Sequence, residues 1–319
     1  LKETFSIAYA TYDIRDALLV KLSHLGKDGY GECVSINYYG INLEDFVLKL
    51  KEIQPRIENQ KIIHPKEFFA FLEQFQLHHF LLSALDCAYW DLFGKLENKS
   101  FSGINQLENK TLAESSITIS IAEIDEQIRK IENSSWNKFK VKCNGFNLKN
   151  TEKLLNLNRN IALDANASFT KEDCLFIQET SGFQKLMYIE QPLEIGNFGI
   201  LKNGNSVNWM ADEDCQDITF LEKLKPYYSS INIKLMKCGG LTPALEMITE
   251  AKKLGYKIML GCMTESSIGI SAGCAIAGLL DFADLDGANL ISNDYATGSF
   301  VDNGKIILSE KPGLGIALL

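Results

Sequence analysis

The sequence predicts an α/β protein built on a (β/α)8-type barrel, with an α+β segment in front of it. Three observations carry this reading. From about Ser116 onward, short β-branched or apolar runs alternate with amphipathic stretches. Eight such runs occur, and strand–helix alternation at this spacing argues for a parallel sheet that eight units would close into a barrel. Residues before about 112 lack this beat. An open doubly wound sheet is the alternative, but no Gly-x-Gly-x-x-Gly follows a first strand, which weakens its dinucleotide-binding version.

The eight candidate strands are Ile117–Ile121, Lys138–Cys143, Ile161–Asp164, Met187–Glu190, Asn208–Asp212, Ile231–Leu235, Ile258–Gly261 and Phe282–Asp286. Helix-like segments lie between them. In Pro243–Leu254, Thr242 is the expected N-cap, Pro243 takes the first helical position and Gly255 is the stop. In front, Ala17–Leu22 with Gly29-Tyr30-Gly31 reads as strand and turn, and Leu43–Ile53, Pro65–Gln74 and His78–Phe93 read as helices. The last stretch has turn signals at Asp302-Asn303-Gly304 and Pro312-Gly313, is strand-like at Lys305–Leu308, and is expected to return to the front. The domain reading is an α+β capping domain over 1–112, joined by about 299–319, and a catalytic barrel over 113–298.

Bulk properties narrow the function. The 319 residues are 46% hydrophobic and 23% charged, ordinary for a globular protein. A general nucleic-acid binder tends to carry a basic face, and with a net charge of −9 no nucleic-acid partner is expected. The longest apolar run, Ile268 to Leu280, is shorter than the roughly 18 residues of a membrane span, so no membrane partner is expected either. Eight scattered Cys without Cys-x-x-Cys read as reduced thiols and point to the cytoplasm. The opening Leu1-Lys2-Glu3-Thr4 shows no signal-peptide pattern and lacks an initiator Met, so a few residues are expected to precede it. A homo-oligomer is expected. His24, His64, His78 and His79 all lie in the first quarter, which removes histidine chemistry from the barrel.

Barrel active sites form at the C-terminal ends of strands. Three successive strands end in acids: Asp164, Glu190 and Asp212. Singly, each also suits a helix cap. Together they would converge, and hard oxygen donors without His or Cys suit Mg²⁺. Lys140 and Lys142, two apart on a strand, share a face, and Lys234 sits four strands along. A partly desolvated lysine near a cation has a lowered pKa and can accept a proton. A carboxylate bound to Mg²⁺ acidifies the neighbouring C–H by stabilising an enediolate, so lysines on opposite faces could remove and return that proton.

These residues carry a resemblance. Lys140-Val141-Lys142, Leu163-Asp164-Ala165-Asn166, Ile189-Glu190-Gln191-Pro192, Met210-Ala211-Asp212-Glu213 and the run Asn232 to Gly240 closely resemble the muconate-lactonizing subgroup of the enolase superfamily. Asp284-Leu285-Asp286 resembles the Asp-x-Asp signature of its dipeptide epimerases, the alanyl-glutamate epimerases among them, and Lys311 to Ile316 is also similar. The resemblance implies a modified, enolase-like barrel under a capping domain. It implies Lys142 and Lys234 as the acid/base pair, Lys140 as a holder of the substrate carboxylate, and Asp164, Glu190 and Asp212 as Mg²⁺ ligands. Asp284 and Asp286 would bind the amino group of a dipeptide. Cys262, Glu265 and Thr118 would line the pocket. The activity implied is epimerisation of the C-terminal residue of a dipeptide, with L-Ala-L-Glu the first substrate to try. Ala10 falls where an arginine reading the glutamate side chain is expected, and Arg15 and Lys21 are the cations nearby. Succinylbenzoate synthase or muconate cycloisomerase chemistry shares the lysines and metal ligands but has no use for an amine-binding pair. A non-enzymatic scaffold would be expected to have lost some of these residues, and all are present.

Overall fold

The structure is a computed structural model. It describes residues 1–7, 10–108, 110–204 and 207–319, with the backbone alone for 5–7 and 10. The front segment opens with β1 (Phe5–Ile7) paired to β2 (Ala10–Tyr12), followed by the hairpin β3 (Ala17–His24) and β4 (Lys27–Val34). Three helices follow: α1 (Leu43–Glu58), α2 (Pro65–Glu73) and α3 (His79–Glu97). Asn42, His64 and His78 cap them by accepting backbone N–H groups, which satisfies donors that have no partner inside a helix. α1 runs through Pro55 to Glu58, beyond the expected end at Ile53, with Phe46 and Ile53 on its buried face.

Gly29-Tyr30-Gly31, expected as the turn after the first strand, lies within β4. The turn is Leu25-Gly26, both in the left-handed region. The glycines serve packing instead. A side chain at Gly31 would collide with the Ala84 carbonyl, and one at Gly29 with Ala88 and Leu92, so β4 lies flush on α3.

After the short helix α4 (Phe101–Ile104) come eight parallel strands. They are β5 (Ile117–Ile119), β6 (Lys138–Lys142), β7 (Asn160–Asp164), β8 (Ile189–Glu190), β9 (Trp209–Ala211), β10 (Ser230–Lys234), β11 (Lys257–Gly261) and β12 (Phe282–Asp284). Their order in the sheet follows the chain from β5 to β12. A parallel bridge from Ser115 to Ala283, with the Ser116 N–H donating to the Ala283 carbonyl at 2.9 Å, brings the ends together. The sheet is therefore a barrel, not an open doubly wound sheet. Around it stand α5 (Ile124–Glu132), α6 (Leu148–Leu155), α7 (Lys171–Glu179), α8 (Leu221–Leu224), α9 (Leu235–Cys238), α10 (Leu241–Lys253), α11 (Ser267–Ala275) and α12 (Gly287–Leu290). Apolar faces of strands and helices form the main core, and Ala162, Tyr188, Met210 and Met259 form a separate cluster that fills the barrel under the charged mouth.

The capping expected at Thr242 is not found. α10 starts at Leu241, because Thr242 is used elsewhere: its N–H and hydroxyl donate to Asp86 of α3 at 2.9 and 2.7 Å, and its oxygen accepts from Trp90 Nε1 at 2.9 Å. Asp91, one turn on, accepts from the backbone of Tyr30 and of Leu314. α3 thus ties β4, the barrel and the tail together. The tail forms β13 (Ala296–Thr297), β14 (Phe300–Asp302), β15 (Lys305–Ile307) and β16 (Ala317–Leu318). Among the described residues, no helix is long and apolar enough to cross a membrane.

The flush packing of β4 gives a test. Gly31→Ala should lower stability by about 1–3 kcal/mol or more, as overpacking against backbone does. Gly199→Ala, where an added methyl meets nothing within 4 Å, should stay within roughly 0.5 kcal/mol of wild type. Urea midpoints of the two variants decide it; equal midpoints would remove the packing argument.

Candidate active site

Strand period and barrel closure bring the charged residues together. Lys140 and Lys142 both point into the barrel mouth from β6, as their spacing requires. Asp164 closes β7, Glu190 closes β8, Asp212 follows β9 and Lys234 closes β10. One cleft is lined by Thr118, Lys140, Lys142, Asp212, Lys234, Cys262, Asp284 and Asp286 from the barrel, roofed by Tyr12, Arg15, Ile36 and Tyr39 from the front segment. Lys142 and Lys234 come from strands on opposite sides of the eight-stranded ring.

The lysines grip the acids. Lys142 Nζ lies 2.5 Å from Asp164 Oδ2 and 2.9 Å from Asn166 Oδ1. Lys140 donates to Asp284 and stands 3.4 Å from Asp164 and 3.5 Å from Glu190. Lys234 and Lys237 lie 2.7 and 2.6 Å from the two oxygens of Asp212. Burial alone would lower the Lys234 pKa, but Asp212 and Glu190 outweigh it and hold it well above the ordinary lysine range. Asp212 sits directly against Lys234 and favours its ammonium form. Burial works against the charged form of Asp164 too, but Lys142 and Lys140 prevail and its carboxyl stays below the usual range. Burial, reinforced by Asp164, pushes Glu190 up to about 8.

The residues present fit a hard divalent cation. Seven buried carboxylates (Asp164, Glu190, Asp212, Glu213, Glu265, Asp284 and Asp286) outnumber the four lysines 140, 142, 234 and 237 around them. Glu190 Oε2 is buried without a hydrogen-bond partner, and its other oxygen is held by Asn232 Nδ2 at 2.7 Å. As they stand, no three acid, His or Cys side chains among the described residues close around a common point; the lysine ammonium groups lie against these oxygens. The donors are nonetheless all carboxylate oxygens, the kind Mg²⁺ takes.

Two expected placements change. Asp286 lies beyond the end of β12, at the start of α12, so the Asp284–Asp286 pair does not share one strand face. The chain turns there, yet both carboxylates line the cleft, and Asp286 accepts the Thr118 N–H at 2.6 Å. Glu265 does not line it. Its carboxylate turns back to accept the Met263 N–H at 2.7 Å, and the wall is made by Cys262, Met263 and Thr264. Lys21 points to solvent beside Asp28, whereas Arg15 reaches the roof, stacked over the Tyr12 ring and donating to the Ser35 carbonyl at 2.8 Å. The side chain of Ala10 lies outside the described residues. Asn166, Glu213, Asn232 and Lys237 join the site without having been singled out. All four stand within the motifs that carry the resemblance, though none was given a role there, and the Asn166 φ of +41° marks a constrained backbone.

A closed parallel barrel with acids on three successive strand ends and lysines on opposite sides defines an acid–base enzyme of the barrel class. Comparison with known proteins narrows this. A family described as "Enolase C-terminal domain-like" matches residues 123–319. The chain is 36% identical to the L-Ala-D/L-amino acid epimerase of Maribacter sp., over 100% of this chain and 96% of the relative. It matches, at TM-score 0.84 and 27% identity, an enolase family member from Agrobacterium tumefaciens with homology to dipeptide epimerases and bound sodium and L-Ala-L-Glu, over 96% and 94% of the two chains. It also matches the dipeptide epimerase from Enterococcus faecalis complexed with Mg and L-Leu-L-Tyr, at TM-score 0.85 and 26% identity, over 99% and 96%. This chain belongs to the enolase C-terminal domain-like family.

Asp164→Asn, Glu190→Gln and Asp212→Asn should each lower Mg²⁺ affinity by at least about tenfold, the usual cost of disturbing even a residue that only supports a ligand. Asn232→Ala should do so more mildly, through Glu190. Titration calorimetry with Mg²⁺ measures this. Wild-type affinity in all three acid variants would place the ion elsewhere.

Proposed function

We propose that this protein is a Mg²⁺-dependent dipeptide epimerase that inverts the α-carbon of the C-terminal residue. The barrel over 113–298 supplies the chemistry, and residues 1–112 with 299–319 cap it. The observation that carries the reading is the placement of Asp284 and Asp286 in the same cleft as two opposed lysines and Asp212, with Asp164 and Glu190 3.4 and 3.5 Å from Lys140, which also lines it. Two carboxylates suit a cationic amine, which a dipeptide presents at one end, while its other end presents the carboxylate that the acidic cluster requires through a metal.

The residues divide the work. Asp164, Glu190 and Asp212 hold the ion, which when bound supplies the positive charge that lets a proton leave the carbon beside a carboxylate. Lys140, ion-paired to Asp164, Glu190 and Asp284, stands between the metal acids and the amine acids and holds the substrate carboxylate. Lys142 and Lys234 face the α-carbon from opposite sides. One takes the proton and the other returns a proton to the far face, which inverts the centre. Whichever lysine accepts must first be neutral, so Lys234 must release Asp212 and give up a proton before it can take one, and Lys142 must likewise release Asp164. Asp284 and Asp286 take hydrogen bonds from the free amine. Only the C-terminal residue has a carboxylate next to its Cα–H, so that is the centre inverted. Thr118 fixes Asp286 through its N–H, and Cys262 is a protonated wall: burial, then Asp286, pushes its thiol up.

Lys142→Ala and Lys234→Ala should each abolish net epimerisation and keep the fold. Each should still exchange the α-proton of one stereoisomer with deuterium, and the two variants should exchange opposite isomers. Mass spectrometry in heavy water reads this; near wild-type epimerisation by either variant would end the two-base scheme.

Burial, and then the neighbouring Asp284, pushes the Asp286 carboxyl up to about 7. It is neutral below that pH and loses its hold on an ammonium group. KM for L-Ala-L-Glu should therefore rise as pH falls from about 8 to about 6. Asp286→Asn should flatten that rise and lower kcat/KM by roughly tenfold to a hundredfold, the worth of one or two charge-assisted hydrogen bonds. N-acetylation should harm wild type more than the variant. If N-acyl amino acids or succinylbenzoate precursors outcompeted every free dipeptide, the epimerase reading would give way to the other chemistry of this barrel.

A further inference from the structure

Glu32 is a carboxylate that none of the chemistry above uses. It sits on β4 in the front segment and is only 4% exposed. No lysine or arginine pairs with it among the described residues. Its donors all come from the other side of the cleft. The Ser266 N–H donates to Oε1 at 2.9 Å, the Ser266 hydroxyl donates to Oε2, and the Tyr295 hydroxyl donates to Oε2 at 2.5 Å. Ser266 is also the N-cap of α11, accepting the Ile268 N–H at 3.1 Å. A carboxylate at a helix N-terminus is favoured by the unpaired N–H groups there.

Its position along the chain matters. Ile36 and Tyr39, which roof the cleft, begin four residues after Glu32. Met263 and Thr264, which wall it, end two residues before Ser266. The 262–265 loop in turn lies so close to Gly287 that a side chain there would meet the Met263 carbonyl, the Glu265 N–H and Cys262 Sγ, and Gly287 adjoins Asp286. β4 itself is pressed onto α3, where Gly29 and Gly31 lie flush on the helix. This strand therefore grips Ser266, at the end of the loop that carries one wall of the pocket, through two hydrogen bonds, and Tyr295 through a third, in a buried place where unmade bonds are costly.

We propose that Glu32 is a positioning residue: by bonding Ser266 and Tyr295 it sets the gap between the roof at Ile36–Tyr39 and the wall at Cys262–Thr264, and so governs how tightly the substrate is held without touching it. Proton transfer between Lys142 and Lys234 does not pass through it, so binding should change far more than the chemical step.

The kinetic arm of the test rests on the dipeptide-epimerase reading; a hydrogen-exchange arm does not. In Mg²⁺-loaded enzyme, Glu32→Ala should raise KM for L-Ala-L-Glu by on the order of tenfold or more while kcat stays within about threefold. Glu32→Gln, which can still accept the Ser266 N–H, should recover most of the loss. Tyr295→Phe removes one bond only and should give a smaller rise, and adding it to Glu32→Ala should change little. If Glu32→Ala does not fold, Tyr295→Phe and Glu32→Gln carry the test alone. Amide exchange should quicken at 36–41 and 262–266 in Glu32→Ala and remain as in wild type along β6–β10. Wild type that epimerises no dipeptide would overturn the epimerase reading and leave the exchange result to decide this one. An active wild type whose Glu32→Ala variant, or Tyr295→Phe where that variant does not fold, keeps its KM, or exchange at the two segments that does not move, would overturn the proposal.

Discussion

Everything at the barrel mouth answers to one electrostatic constraint. Closing eight parallel strands puts the ends of β6 to β10 and β12 around a single dry space, and this sequence fills it with more carboxylates than lysines. Buried charge of one sign is costly unless it is paired. Lys140 is the clearest response. It reaches Asp164, Glu190 and Asp284 together, and they hold its ammonium form in place against burial. What the lysines leave uncompensated is written on Glu190 and Asp286, whose carboxyls burial pushes up to about 8 and about 7. A divalent cation among the first acids and an ammonium group beside the second would each relieve one part of this excess. The two ligands of a metal-dependent dipeptide enzyme are thus complements to a charge pattern already present.

The rest of the molecule holds this mouth in shape. The barrel interior below it is closed by Ala162, Tyr188, Met210 and Met259, so the charges cannot sink into the core. α3 brings the front segment against the barrel, with Asp86 bonded to Thr242 and Asp91 to Tyr30 and Leu314. Burial pushes the Asp86 carboxyl up to about 7 as well. That shift belongs to docking rather than to chemistry, which shows that a perturbed acid in this protein is not by itself a mark of the site. What separates Asp286 from Asp86 is the cleft in front of it.

Much of the site was legible from strand periodicity. Lys140 and Lys142 at a spacing of two had to share a face, and acids just after apolar strands in a parallel barrel had to gather at one end. The Asp284–Asp286 pair was legible as residue types but not as geometry: Asp286 had to leave the strand before it could turn back to Thr118. Glu265 was misplaced because a residue after a strand has no period to orient it, and here the nearest donor was its own loop. The start of α10 was misplaced because Thr242, a good local cap, had a stronger partner in Asp86, far away along the chain.

By itself the sequence determined the class of fold, the acids and lysines of the mouth, and the kind of ion they suit, because each follows from local period and residue chemistry. Only the tertiary structure decided which front residues reach the cleft. Arg15 and Lys21 are equivalent by sequence, yet one roofs the site and the other faces solvent beside Asp28. It also decided what Asn166, Asn232 and Glu32 do, since each acts through a partner many residues away. Those pairings depend on how the barrel closes and where β4 is pressed onto α3, and long-range contacts of that kind leave no periodic trace along a chain.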